Sequence, residues 1–254
     1  MSLTGEITKL IGRADALIST FNGKKKEIEA AVKNAVETIP TQRINLYLDQ
    51  INGDDTNTGQ RSNAPLRSLD KALDLIGDGR SGEIRFLSDY TMEKRRYVTP
   101  VSANILIRSS GGVRKLYLGL HALPDEGSDS WDWEVGGLYC AHYGSFSLSL
   151  VEMQVIFPSA PAEGTLGSPR YSALIGSNSL AGPTHVAVGL TRCDIVRPAD
   201  GAGTILGADT RSASLSVQST TFDKGPMAGN WVAGANADQK PSDLDWILSN
   251  LESL

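Results

Sequence analysis

The chain has 254 residues, 40% hydrophobic and 21% charged, with a net charge of −5. That balance permits a sizeable core, argues against a disordered chain, and gives no electrostatic basis for binding nucleic acid or an anionic membrane surface. Glycine is abundant at 26 residues and aromatics are sparse at 6%, which suits short strands joined by tight turns.

The two cysteines, Cys140 and Cys193, have neither the number nor the spacing of a zinc site or a disulfide framework. Met1–Gly5 leads into an amphipathic rather than an apolar stretch, so no secretory leader is expected. No apolar run reaches the roughly 18 residues of a membrane span.

In chain order, the first element is a predicted helix. Leu3, Ile7, Leu10, Ala14, Leu17 and Phe21 alternate steps of four and three residues, the seam of a helix that seeks similar partners. Lys24 interrupts the seam, and a second phase, Ile28, Val32, Ala35 and Ile39, succeeds it at an offset of four. Such an offset is a stutter. Asn22-Gly23 at the change offers the alternative of two short helices, and Pro40 ends the segment. A continuous helix would extend about 54 Å at roughly 1.5 Å per residue. With no third helix to cover both phases, Leu3, Ile7, Leu10, Ala14, Leu17, Phe21, Ile28, Val32 and Ile39 are expected to carry oligomerisation. Their mixed Leu and Ile character does not fix the stoichiometry.

Ile44–Asp49 reads as a strand and Asn52-Gly53-Asp54-Asp55 as a polar loop. Pro65 is expected to open a helix over Leu66, Leu69, Ala72, Leu73 and Ile76, closed by Gly77 and Gly79. The acidic loop lacks the alternating ligands and terminal glutamate of a calcium-binding loop, so no metal is predicted.

LYLDQINGDDTNTGQRSNAPLRSLDKALDLI, residues 46–76, resembles the opening of right-handed parallel β-helix proteins of the pectate-lyase-like group, with their strand, NGxD-type loop, AP-type turn and short helix. LIGRADALISTFNGKKKEIEAAVKNAVETIP, residues 10–40, looks like the helical stalk ahead of such domains in bacteriophage tail fibres and tailspikes. The resemblance covers about the first third of the chain. It implies a homotrimer, a place on the virion after synthesis in the host cytoplasm, contact with other virion proteins through the stalk, and host-surface polysaccharide as a further partner.

Farther on, the residues repeat. Leu148, Leu150, Met153 and Val155 align with Val188, Leu190, Cys193 and Ile195, and these with Leu215, Val217, Thr220 and Phe222. Upstream of each set lies another short strand, at Leu138–Ala141, Ala173–Gly176 and Thr204–Gly207. Repeats of this length indicate stacked coils that bury one another. Weaker strands at Glu83–Leu87, Asn104–Arg108 and Lys115–Leu120 extend the pattern. An antiparallel sandwich is the alternative, since it also repeats short alternating strands. In this alignment Cys193 lies in a core column, and both thiols read as structural.

Cleavage of a polysaccharide calls for two carboxylates about one sugar bond, or carboxylates that hold calcium. The aligned columns instead place Glu152 with Arg192 and Ser219, and Asp194 with Gln154 and Thr221. His121, His142 and His185 are isolated. No catalytic residue and no cofactor is therefore assigned, and an enzymatic role is left open. The expected ligand-binding residues are Asp129, Trp131, Asp132, Trp133 and Glu134, in the loop Pro124–Val135, where indole faces can stack on sugars while carboxylates accept from hydroxyls. The loop Pro158–Tyr171 is a weaker candidate. The tail Pro241–Leu254 reads as an amphipathic helix with Ser242 as N-cap and an apolar stripe of Leu244, Ile247, Leu248 and Leu251.

The expected fold is therefore mainly β: a right-handed parallel β-helix solenoid preceded by an N-terminal α-helical coiled-coil stalk and closed by a short C-terminal helix. The expected divisions are 1–40 stalk, 41–82 opening cap, 83–235 shaft and 236–254 capping helix. The expected function is a trimeric phage virion appendage, a tail fibre or spike, that contributes to host attachment through carbohydrate. A tailspike polysaccharide depolymerase and a purely structural head fibre or adaptor are the alternatives, with no nucleic acid and no membrane insertion in any of them.

Overall fold

The computed structural model describes residues 3–38, 43–123, 132–140, 144–177, 185–207 and 212–254. They fall in two compact units, Met1–Gln42 and Arg43–Leu254.

The first unit is one helix, α1 (Leu3–Thr38). It passes through Asn22-Gly23 without a break, so the alternative of two short helices does not hold. Glycine in a helix interior costs about 1 kcal/mol relative to alanine. The cost is local, and the Lys24–Glu27 and Lys25–Glu29 pairs span the next turns, at 2.7 and 3.8 Å. Continuity also changes how the seam is read. Ile7, Phe21 and Ile28 keep one seven-residue column, while Ile11, Ile18 and Val32 keep a second beside it. No shift of phase is needed to connect the two halves.

The second unit opens with β1 (Ile44–Leu48), whose Leu46 and Leu48 point into the core. Tyr47 N–H donates to the Gly59 carbonyl and Leu66 N–H donates to the Tyr47 carbonyl, at 2.7 and 2.9 Å. The polar loop between them is thereby folded back onto the strand. The next helix, α2 (Leu69–Ile76), starts later than Pro65. Leu66 spends its backbone on Tyr47 and Asp49, and Ser68 is the N-cap, its hydroxyl accepting from Lys71 N–H at 3.2 Å. Leu69, Ala72, Leu73 and Ile76 form the buried face of α2.

Short strands make up most of the remaining chain. They are β2 (Ser81–Phe86), β3 (Tyr90–Thr91), β4 (Arg96–Val98), β5 (Asn104–Ser109), β6 (Arg114–Tyr117), β7 (Leu120–Ala122), β8 (Trp133–Val135) and β9 (Gly137–Cys140). Next come β10 (Ser145–Val151), β11 (Met153–Ile156), β12 (Ala173–Ser177), β13 (His185–Thr191), β14 (Asp194–Val196), β15 (Thr204–Leu206), β16 (Ala213–Gln218) and β17 (Thr221–Phe222). A four-residue helix, α3 (Lys224–Met227), a 3-10 turn at Pro241–Asp243 and β18 (Ile247–Ser249) complete the described elements.

The strands pair in parallel within three sheets, ordered β1-β2-β5-β10-β13-β16-β18, β17-β14-β11-β6-β3 and β15-β12-β9-β4, while β7 and β8 form a separate antiparallel pair. This corrects the expected architecture. A right-handed parallel β-helix solenoid is not shown. Helices accompany parallel strands divided over sheets of seven, five and four members, and the repeat does not extend evenly through the chain. Parallel sheets with a helix against their first strands are the pairing typical of α/β chains. Here most links between parallel neighbours nevertheless run through other strands rather than helices.

The closing helix is also corrected. The tail forms the 3-10 turn and β18, and Ala213, Ser214 and Leu215 of β16 pair with Ile247, Leu248 and Ser249. The open edge of β16 carries backbone groups that need partners. The tail supplies them: Ala213 N–H donates to the Trp246 carbonyl at 2.7 Å, and the Asn250 amide bonds both Val217 N–H and its carbonyl. Period-two burial then replaces the helical stripe, with Ile247 inside and Leu248 exposed.

The aligned segments do lie side by side. Leu148 is level with Val188 and Val188 with Leu215, while Val155, Ile195 and Phe222 form a second row. Leu148, Leu150, Val188, Leu190 and Leu215 are all buried, each contributing about 1.5–3 kcal/mol on removal from water. The turns from β10 to β11, β13 to β14 and β16 to β17 are each made by one residue with positive φ: Glu152, Arg192 and Ser219, at 56°, 52° and 49°. One left-handed residue bends the chain between sheets without a longer loop.

Candidate functional site

The two loops singled out in sequence meet in space. Asp132 N–H and Trp133 N–H both donate to the Thr165 carbonyl, at 2.9 and 3.1 Å, and Gly167 N–H donates to the Trp133 carbonyl at 2.5 Å. Asp132 Oδ2 in turn accepts from the backbone N–H of Thr165 at 2.6 Å and from its hydroxyl at 3.1 Å. Trp133 is half-buried, and its Nε1 donates to the Glu163 carbonyl at 3.0 Å. The result is a ledge on which one indole and one carboxylate are held by the backbone of the neighbouring loop. Such fixation lowers the ordering cost of binding a ligand.

Asp129 and Trp131 lie outside the described residues. Glu134 does not share the ledge. It is a buried residue of β8 with Arg95 Nη1 3.8 Å from its Oε2, so it supports the strand pair rather than facing solvent. Thr165 and Glu163 were not identified from sequence. No periodic signal marks a contact between two irregular loops.

All described side chains of α1 are exposed, its apolar columns included. Leu3, Ile7, Leu10, Leu17, Phe21, Ile28 and Val32 are at least half exposed, and Ile11 and Ile18 join them at 57% and 58%. Ala14 is also exposed, while the side chain of Ile39 lies outside the described residues. Ile11 and Ile18 were missed because only two columns per heptad were counted. A strict two-column seam suits a narrow coiled-coil contact, whereas a third column widens the apolar face.

The carboxylates are committed elsewhere. Glu152 accepts from Arg192 and Arg108, which together draw its pKa below the usual carboxylate range. Asp194 accepts from Gln154 Nε2 at 2.6 Å and from Thr221 Oγ1 at 2.7 Å, the column neighbours expected from the alignment. Asp54 accepts from Thr56 N–H and hydroxyl, and Asp55 from the N–H groups of Arg67 and Ser68. These aspartates shape turns. Among the described residues no group of three or more His, Cys, Asp or Glu side chains is placed to hold a metal ion.

Both thiols are buried. Burial pushes Cys140 up to about 12 and also raises Cys193, so neither is activated as a nucleophile. His185 bonds the hydroxyls of Ser212 and Ser214, at 3.0 and 3.3 Å, as a cross-strand neighbour. His121 is half-buried and its pKa is lowered by burial, and His142 lies outside the described residues. Among the described residues, no helix is long and apolar enough to cross a membrane. Comparison of the chain with family models, curated proteins and solved structures finds no match in any of the three.

Proposed function

We propose that the chain is one subunit of a homotrimeric bacteriophage virion appendage, a tail fibre or spike, that helps attach the particle to carbohydrate on the host surface. The observation that carries this reading is the apolar face of α1, where large side chains from Leu3 to Val32 stand exposed along one helix. Apolar surface of that extent, on a helix with its own seven-residue columns, favours association with copies of itself. Three columns rather than two favour a helix that touches two neighbours, as each member of a trimer does. In this account the same segment joins the subunits to other virion proteins after synthesis in the host cytoplasm.

The attachment role draws on the ledge at Asp132 and Trp133, where an indole and a carboxylate are each anchored on the backbone of the neighbouring loop. The test is binding of labelled full-length protein to an array of bacterial surface polysaccharides and to the strains that bear them. Saturable binding that the free polysaccharide competes away is expected. Binding to no polysaccharide and no strain would overturn attachment in favour of a purely structural part.

A further inference from the structure

A cleft with none of the ledge residues in its lining lies at the turn after β5. It has a volume of about 480 Å³ and is lined by Arg85, Arg108, Ser110, Gly111, Gly112 and Glu152. Arg85 and Arg108 are level with each other on neighbouring parallel strands, whose spacing is about 4.8 Å. Both guanidinium groups are anchored by neighbouring side chains. Arg85 Nε lies 2.8 Å from Glu83 Oε1 and Arg85 Nη1 donates to the Tyr47 hydroxyl at 3.2 Å, while Arg108 Nη2 lies 3.0 Å from Glu152 Oε2. Each guanidinium carries five N–H donors, so these bonds fix the planes and leave donor capacity for a ligand.

We propose that this cleft binds a carboxylate-bearing saccharide, with the sugar acid on Arg108 and Arg85 and ring hydroxyls on Glu152 and the backbone of the glycine turn. Three features select this ligand class. Guanidinium groups match the planar, two-oxygen geometry of a carboxylate. Arg85, Arg108 and Arg192 pair with two carboxylates, Glu83 and Glu152, and Arg114 Nε donates to the Ser110 carbonyl at 3.3 Å, a local positive excess on a chain whose net charge is −5. The Glu152 carboxylate lines the cleft beside its bonds to Arg108 and Arg192 and keeps lone-pair capacity to accept from a ring hydroxyl. The turn itself keeps the cleft open. Gly112 has φ of 123°, and a β-carbon there would meet nothing within 4 Å, so a flat sugar ring can approach its backbone.

The biological setting of this site rests on the attachment reading, whereas its chemistry does not. The test titrates full-length protein, by calorimetry, with tetrasaccharides of galacturonate, glucuronate and N-acetylneuraminate. Each is run beside its neutral methyl ester and beside inorganic phosphate. At least one acidic tetrasaccharide is expected to bind while its ester and phosphate do not, and Arg108→Gln should weaken that binding about tenfold or more. Val113, on the rim, is 69% exposed, so Val113→Trp should fill the mouth and abolish binding without touching the core. It decides the matter even if the arginine variant folds poorly. Binding of none of the acids, equal binding of ester or phosphate, or full affinity in both variants would overturn the cleft. A cleft that fails while the protein still binds cells leaves attachment standing. Saccharide affinity without any cell binding supports the cleft and removes the attachment reading.

Discussion

Arg192 reaches from one turn to Glu152 in the turn below it and places Nε and Nη2 at 3.0 and 2.8 Å from a single carboxylate oxygen. Arg108 takes the other oxygen from the strand on the opposite side at 3.0 Å. One carboxylate thus links three successive strands of the seven-stranded sheet at its corner, and it does so from a residue with left-handed backbone. Two of the three turns that change direction between sheets carry a charged residue, Glu152 and Arg192, and the first of these lines the cleft proposed above.

Acid should loosen this corner. Hydrogen bonds from Arg192 and Arg108, with their charges, depress the folded-state pKa of Glu152. A group with a depressed pKa stabilises the fold above the usual carboxylate range and loses that contribution as pH falls through its folded value. Melting temperature measured between about pH 6 and pH 3 is expected to fall less steeply in Glu152→Gln than in the wild type. Parallel curves would show that the corner pair does not contribute.

The corner residues differ in what they give back. Ser219 has φ of 49°, and left-handed backbone costs a non-glycine residue roughly 1–2 kcal/mol. Ser219→Gly is expected to raise unfolding free energy by about 1 kcal/mol, while Ser219→Val lowers it. Arg192→Gly should gain less, because it gives up the Glu152 contact. Denaturant titration of the three variants orders them.

Two strand glycines make a sharper contrast. A β-carbon on Gly137 would collide with the carbonyl oxygen of Ala173, whereas one on Gly189 would meet only Ser149 Oγ, at 3.4 Å. Gly137→Ala should cost about 1–3 kcal/mol through forced backbone movement, and Gly189→Ala should stay within about 0.5 kcal/mol of wild type. Leu190→Ala, fully buried between the buried Leu150 and the half-buried Val217, should cost about 2–5 kcal/mol. Chemical unfolding by fluorescence or circular dichroism measures each.

Parallel pairing explains which parts of the fold were legible in sequence. When neighbouring strands run the same way in register, like residues fall level with like. The columns of Leu148, Val188 and Leu215 and the Gln154–Asp194–Thr221 row could therefore be aligned from residue type and spacing alone. The tail could not be read so directly. Leu244, Ile247, Leu248 and Leu251 fit a helical stripe, yet the open edge of β16 offered backbone partners and drew the segment into a strand. The upstream strands and the two halves of each aligned set fall in three different sheets, whereas the weaker early strands were not assigned to one, because local alternation does not say which sheet a strand joins. For the candidate site, Asp132 and Trp133 were singled out by their chemistry. Their anchorage on Thr165, thirty-three positions away, arises from tertiary contact alone.

The most direct test of the account is the solution mass of the full-length chain by light scattering, beside the variant Leu10→Asp/Leu17→Asp. Both leucines are exposed at about 70% on α1, at 69% and 72%, so the substitutions disturb no internal packing of the described chain. A mass of about three chains for the wild type, falling to one in the variant with circular dichroism of the strands retained, is the predicted result. A single-chain mass for the wild type would contradict the appendage reading, because the apolar face of α1 would then have no copy of itself to cover it.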